Sequence, residues 1–172
     1  EHGTDSQVIL ITTDEKIIEK VLSELNQQLS ELPKKNIAKE SLKNSKIFLV
    51  ESYNEMIEMV NTYAPEHLII STVNADELAA KVVNAGSVFI GHYSPESAGD
   101  YASGTNHTLP TNGYARAYNG VNLDNFVKKI TFQHITRKGL EYLGPTIMKM
   151  AQSEELQAHS NAVNTRLKKD HG

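Results

Sequence analysis

The chain has 172 residues, 39% hydrophobic and 22% charged, with a formal net charge of -4. That length supports one good core, or one core plus a small appendage, and the negative balance, with lysines scattered instead of interleaved with aromatics, argues against a nucleic-acid partner. Without cysteine there is no disulfide framework and no thiolate metal site, so any metal needs His, Asp, Glu or Gln ligands; the expected compartment is the cytoplasm, and no apolar run approaches membrane-spanning length.

In chain order, the β-branched run QVILIT (Gln7 to Thr12) predicts a strand. Thr13-Asp14 then offers cap chemistry for an amphipathic helix holding Ile17, Ile18, Val21, Leu22 and Leu25. A weaker surface helix is expected between Pro33 and Asn44, then the strand IFLV (Ile47 to Val50) and an amphipathic helix around Asn54 to Thr62. HLIIST (His67 to Thr72) reads as the next strand, followed by a helix holding Leu78, Ala79, Val82 and Val83, and by the strand AGSVFIG (Ala85 to Gly91). Such alternation implies a mostly parallel sheet with helices on its faces. Ligands in these sheets gather beyond the carboxyl ends of the strands, which favours the loops after Gly91. From His92 to Asn119 the chain is Gly-, Ser-, Pro- and Tyr-rich with little periodicity, and is expected to be a long functional loop. Helices are expected around Asp124 to Lys129, from Arg137 to Ala151 and from Glu154 to Lys169, giving two domains, 1–121 and 122–172. The second is too short for an independent core, so its apolar residues, among them Leu140, Leu143, Ile147, Met148, Leu156, Val163 and Leu167, must pack on something else.

YAPEHLII (Tyr63 to Ile70) runs a proline, a carboxylate and an imidazole into what reads as a buried strand. Pro65 pushes Ala64 out of helical geometry, so the helix must stop and Glu66 and His67 are held at a helix-to-strand junction. They are either solvated loop residues or a chemical pair. Asp100, bracketed by Gly99 and Gly104, can meet a small ligand or simply cap a turn. Ser153 reads as an N-cap with Glu154 and Glu155 in the first turn. Of the seven histidines, His2, His67, His107 and His159 sit in suggestive company, though each alone is as readily a solvated residue.

Taken together, EHGTDSQVIL, YAPEHL, GDYASGTNHTLPT and EELQAHSNAV resemble, in order and spacing along all 172 residues, the metal and catalytic segments of the histidinol dehydrogenases. Thr4 and Thr105 stand where that family commonly has proline. The resemblance implies an α/β chain: the later part of a Rossmann-like parallel-sheet domain with helices on both faces, then a helical tail crossing to the second subunit of a homodimer with shared sites. It implies zinc held by His2, Asp100 and His159, with Glu66 and His67 catalytic. His2, His67, Asp100, His107, Glu154 and His159 would contact L-histidinol. By spacing alone Glu155 pairs with His159 at i,i+4, whereas the resemblance selects Glu154. The activity implied is the four-electron oxidation of L-histidinol to L-histidine through histidinaldehyde, with two NAD molecules in succession. The family's full chain is longer: its preceding half carries the NAD site and a glutamine zinc ligand, so the segment alone is expected to be inactive and no cofactor-binding residue is assigned here. The competing expectation is a non-catalytic binding or scaffold module that retains the fold. A nucleotide or sugar-phosphate module is disfavoured because no GxGxxG or P-loop pattern follows a strand.

Overall fold

Two pairs of parallel strands organise the first part of the chain. The computed structural model describes residues 2–168, and by contact pattern the chain divides into two units, Glu1–Phe126 and Val127–Gly172. In the first unit, β1 (Ile9–Thr12) leads through α1 (Glu15–Glu31) and α2 (Lys35–Asn44) to β2 (Lys46–Leu49). The two strands pair in parallel from Ile9 opposite Lys46 to Thr12 opposite Leu49. Asp14 caps α1 as its sequence position implies, its carboxylate accepting from the Lys16 N–H at 2.9 Å. On α2, the Ser41 hydroxyl donates to the Ser6 carbonyl at 3.1 Å, and the Asn44 amide to Thr4 and Ser6 at 3.1 and 3.3 Å. These bonds fasten the segment just after His2.

The second pair carries the core. α3 (Tyr53–Tyr63), N-capped by the Ser52 hydroxyl on the Glu55 N–H, precedes β3 (His67–Ile70), and the short α4 (Ala75–Ala79) crosses to β4 (Ser87–Ile90). β3 and β4 pair in parallel with His67 opposite Ser87 and Ile69 opposite Phe89. Side chains alternate across a strand, so Leu68, Ile70 and Val88 share one face, packing with Ala75 and Leu78 of α4 and Ile57 of α3. His67 and Phe89 share the other. There α5 (Glu96–Tyr101) brings Gly99 against the Phe89 ring. This pair therefore has helices on both faces, as the α/β alternation implies. The two pairs are separate two-stranded sheets among the described residues, and β2 is exposed along its length.

Three elements differ from expectation. α4 stops at Ala79 because Asn61 of α3 captures the following turn: its side-chain oxygen accepts from the Val83 and Asn84 N–H groups at 2.9 and 3.3 Å, and its amide donates to the Lys81 carbonyl at 3.1 Å. Those side-chain bonds compete with helical ones. Inside the stretch expected to be a loop, residues 96–101 form a helix entered at Pro95, whose fixed φ suits the position before a first turn. Near Asp124 only a single 3-10 turn forms, Leu123–Phe126, and residues 127–136 adopt no helix or strand.

The second unit is an antiparallel hairpin of α6 (Arg137–Ser153) and α7 (Gln157–Lys168). Its turn corrects the reading of Ser153 as an N-cap. The Leu156 N–H donates to the Ala151 carbonyl at 2.8 Å and the Glu155 N–H to Gln152 at 3.1 Å, with Glu155 left-handed at φ 59°. This is a Schellman C-cap closing α6, with glutamate where glycine is usual. Ser153 ends α6, its hydroxyl donating to the Lys149 carbonyl, so Glu154 and Glu155 lie in the turn, and the i,i+4 helix-face pairing of Glu155 with His159 does not form. Gly144 lets the helices approach: a β-carbon there would lie 3.0 Å from Leu167 and 3.2 Å from Val163. Much of the tail's apolar face is thus used within the hairpin, with Ala151 and Val163 buried, while Tyr142, Leu143, Met150 and Leu156 stay exposed. Lys169, placed at the end of the last helix by its sequence, lies outside the described residues. No helix among the described residues is long and apolar enough to cross a membrane.

Candidate active site

The junction at Pro65 is built as its sequence suggests, with one refinement. Ala64 ends α3 in the left-handed region at φ 55°, ψ 66°, fully buried, and its N–H still donates to the Val60 carbonyl at 2.8 Å. Proline does expel its predecessor from helical geometry, but into a conformation that costs a non-glycine residue energy, and such strain persists only where packing over-determines it. The packing is visible on both sides. The Arg116 guanidinium donates to the Thr62 carbonyl, anchoring the long loop on the end of α3. The N–H groups of Gly86 and Ser87 donate to the Pro65 and Glu66 carbonyls, both at 2.9 Å. Gly86 has to be glycine for that approach, since a β-carbon would sit 2.5 Å from the Glu66 carbonyl oxygen.

His67 opens β3 with its ring half-buried. It lies nearly parallel to Phe89, centroids 6.2 Å apart and planes 24° apart, and its Nε2 stands 3.6 Å from the Glu96 carboxylate, an ion-pair distance longer than a hydrogen bond. Glu96 and Asp100 are four apart on α5 and share a face. One ligand atom from each of His67, Glu96 and Asp100 falls within 4.8 Å of the others, all three residues being half-buried. An imidazole with two carboxylates is a nitrogen and oxygen set suited to zinc or another divalent ion. The cluster gathers at the amino end of β3, not beyond the carboxyl ends of the strands. α5 follows β4 yet folds back across the sheet face, so the loop after Gly91 supplies the site from the other direction.

The remaining sequence-predicted residues are placed less tightly. Asp100 sits in the body of α5, so it caps no turn. Thr105 donates to the Gly99 carbonyl at 3.2 Å, a bond proline could not make, and so ties the loop to α5. His107 is exposed beside an Asx turn in which Asn106 accepts from the Thr108 N–H at 2.7 Å. His2 is exposed ahead of the fastened segment, and in the second unit Glu154 and His159 are exposed, one in the turn and one in the first turn of α7. Sequence reasoning missed Glu96. Its signal was the spacing Pro95-Glu96 with Asp100 four residues on, hidden by the loop-like composition around it.

Fold and cluster together define an α/β protein with a half-buried imidazole and two carboxylates gathered on one face of a parallel strand pair. The family model for histidinol dehydrogenase matches residues 1–167. The chain is 59% identical over 167 residues to histidinol dehydrogenase of Bacteroides thetaiotaomicron, covering 97% of this chain and 39% of that protein. It is 50% identical over 171 residues to the histidine biosynthesis trifunctional protein of Saccharomyces bayanus, covering 98% and 21% respectively. A crystal structure of histidinol dehydrogenase from Elizabethkingia anophelis superposes with a TM-score of 0.91 at 56% identity, over 97% of this chain and 39% of that one. The chain belongs to the histidinol dehydrogenase family, oxidoreductases of histidine biosynthesis, and spans about two fifths of the length of such single-function relatives.

Proposed function

We propose that this chain supplies the acid–base and metal-binding part of a cytoplasmic, NAD-dependent histidinol dehydrogenase that oxidises L-histidinol to L-histidine through histidinaldehyde. The observation that carries this reading is the pinned His67 ring, stacked on Phe89 and facing Glu96 and Asp100, with Glu66 beside it on a locked backbone. His67 takes the proton of the substrate alcohol, and with Glu66 takes a proton from the water that adds to the aldehyde. Both transfers call for a base held within hydrogen-bonding reach of the reacting oxygen. Glu96, opposite the ring, steadies the imidazolium that results.

In this chain His2, Asp100 and His159 would hold zinc, a reading supported by the nitrogen and oxygen donors that gather around Asp100. When bound, zinc supplies a charge that anchors the imidazole and amino end of the substrate, and NAD accepts the hydrides. His107 and Glu154 complete the substrate contacts, Glu154 pairing with the amino group. The helical tail, 122–172, docks on the second subunit of a homodimer, a reading supported by the apolar side chains of α6 left exposed.

The test compares the isolated 172-residue segment with the native polypeptide that carries it, each given histidinol, NAD and zinc. The native polypeptide forms NADH and loses this activity on chelation. The segment alone forms none. Absence of turnover in the zinc-loaded native polypeptide would instead favour a binding module that keeps the fold without catalysis.

A further inference from the structure

His67 Nε2 stands 3.6 Å from the Glu96 carboxylate, beyond hydrogen-bond length, so the spacing of the ring from α5 is held by other contacts. Beside the imidazole, and against α5 at Gly99, lies the Phe89 ring. It occupies the same face of the β3–β4 pair as His67, is only 8% exposed, and stacks on the imidazole. Its Cε1–Cζ edge meets Gly99, where a β-carbon would stand 2.7 Å from Cε1 and 2.9 Å from Cζ of the ring, inside any tolerable contact. Gly99 has no left-handed φ, so its backbone conformation does not call for glycine. Glycine within a helix is less favourable than alanine, and the reason for it here is steric. Residues 96, 99 and 100 fall on one helical face, so the glycine that receives the ring sits between the two carboxylates.

We propose that Phe89 and Gly99 act as positioning residues: the ring, clamped between imidazole and helix backbone, is the spacer that holds His67 at working distance from Glu96 and Asp100. The proposal rests on the reading of His67 as the base. Neither residue touches substrate. Each acts by preventing the sub-ångström to ångström misplacement that can cost a well-oriented reaction on the order of a hundredfold in rate.

The experiment uses the native full-length polypeptide, with steady-state rates on histidinol and NAD, zinc content and the thermal midpoint measured for every variant. Gly99→Ala pushes the ring and is expected to lower kcat about tenfold or more with KM for NAD unchanged. Phe89→Leu removes the ring edge and lowers kcat several-fold on its own. In the double variant the leucine makes room for the new methyl, so kcat returns to the Phe89→Leu level and the two losses do not multiply. Thr105 supplies the control, because its hydroxyl oxygen would lie 3.0 Å from the same β-carbon. A double variant whose loss equals the product of the single losses overturns the spacer, as does recovery of Gly99→Ala by Thr105→Ala instead of by Phe89→Leu. Should Gly99→Ala not fold, a wild-type kcat in Phe89→Leu overturns it equally. His67→Ala separates this failure from failure of the underlying reading: if that variant keeps full activity, His67 is not the base and the spacer has nothing to position.

Discussion

His67 and His159 both stand at the start of a regular element, one of a strand and the other of a helix, yet their surroundings have little in common. The His67 ring is held by a stacked phenylalanine, an opposed carboxylate and a backbone that Gly86 and Ser87 lock in register. His159 is exposed on α7, while the next residue, Ser160, is buried against α6 and accepts from the Gln152 amide at 3.3 Å. A group that must move protons gains from being fixed before its substrate arrives. A metal ligand can take its final rotamer from the ion, because binding energy orders the site. The contrast fits the two roles proposed, and each half of it can be broken separately.

The largest effect is expected at the pinned residue. In the native polypeptide, His67→Ala should lower turnover by roughly two to four orders of magnitude while zinc content stays near normal, the pattern of a base that is not a ligand. His159→Ala should lose zinc along with rate. Parallel loss of zinc in both variants would move His67 onto the metal, beside Glu96 and Asp100. Mixing the two inactive variants under conditions of subunit exchange sharpens the contrast: if α7 serves the partner's site, a mixed dimer collects both defects in one site and leaves the other whole. Activity then reappears, up to half that of a wild-type dimer. If no mixing ratio restores activity, each site is built from a single chain.

A smaller loss is expected from the backbone that holds the pair. Gly86→Ala places a methyl 2.5 Å from the Glu66 carbonyl oxygen and 3.3 Å from its carbonyl carbon and Cα, atoms that cannot swing aside as a side-chain tip would. The predicted cost is about 1–3 kcal/mol in denaturant unfolding, the usual range for overpacking, together with a fall in kcat because β3 must shift where it carries His67. An unchanged unfolding midpoint would mean that the Glu66 junction is not locked by this contact.

What could be read from sequence follows from how local the signals are. The Asp14 cap, the β-branched runs of β1, β3 and β4, and the stop imposed by Pro65 depend on near neighbours, and each lies where its chemistry indicates. Glu96 could not be found that way. α5 is six residues long with glycine in it, too short to show a period, and its carboxylates matter only because the helix folds back over β3. The turn at Ser153 misleads for a related reason: a serine followed by two acids is the pattern of a helix start, and the Schellman closure that wins lacks the glycine that would announce it. The contact of Phe89 with His67 is equally hidden, since a phenylalanine in an apolar strand looks like any core residue until the register places it beside His67.

That turn also gives the smallest effect and a way to decide between its two acids. Glu155 holds φ 59°, a conformation costing a residue with a β-carbon roughly 1–2 kcal/mol that glycine escapes. Glycine is also the more flexible residue when unfolded, which returns part of the gain. The net expectation for Glu155→Gly is a stabilisation of about 1 kcal/mol or less, read as a modest rise in the unfolding midpoint. Because its side chain is exposed and Glu154 is the acid assigned to the substrate amino group, kcat/KM for histidinol should be unchanged in Glu155→Gly and should fall in Glu154→Gln. The reverse pattern, a more stable protein that binds histidinol poorly, would mean that the strained residue is held left-handed in order to present its carboxylate, and the substrate contact would pass from Glu154 to Glu155.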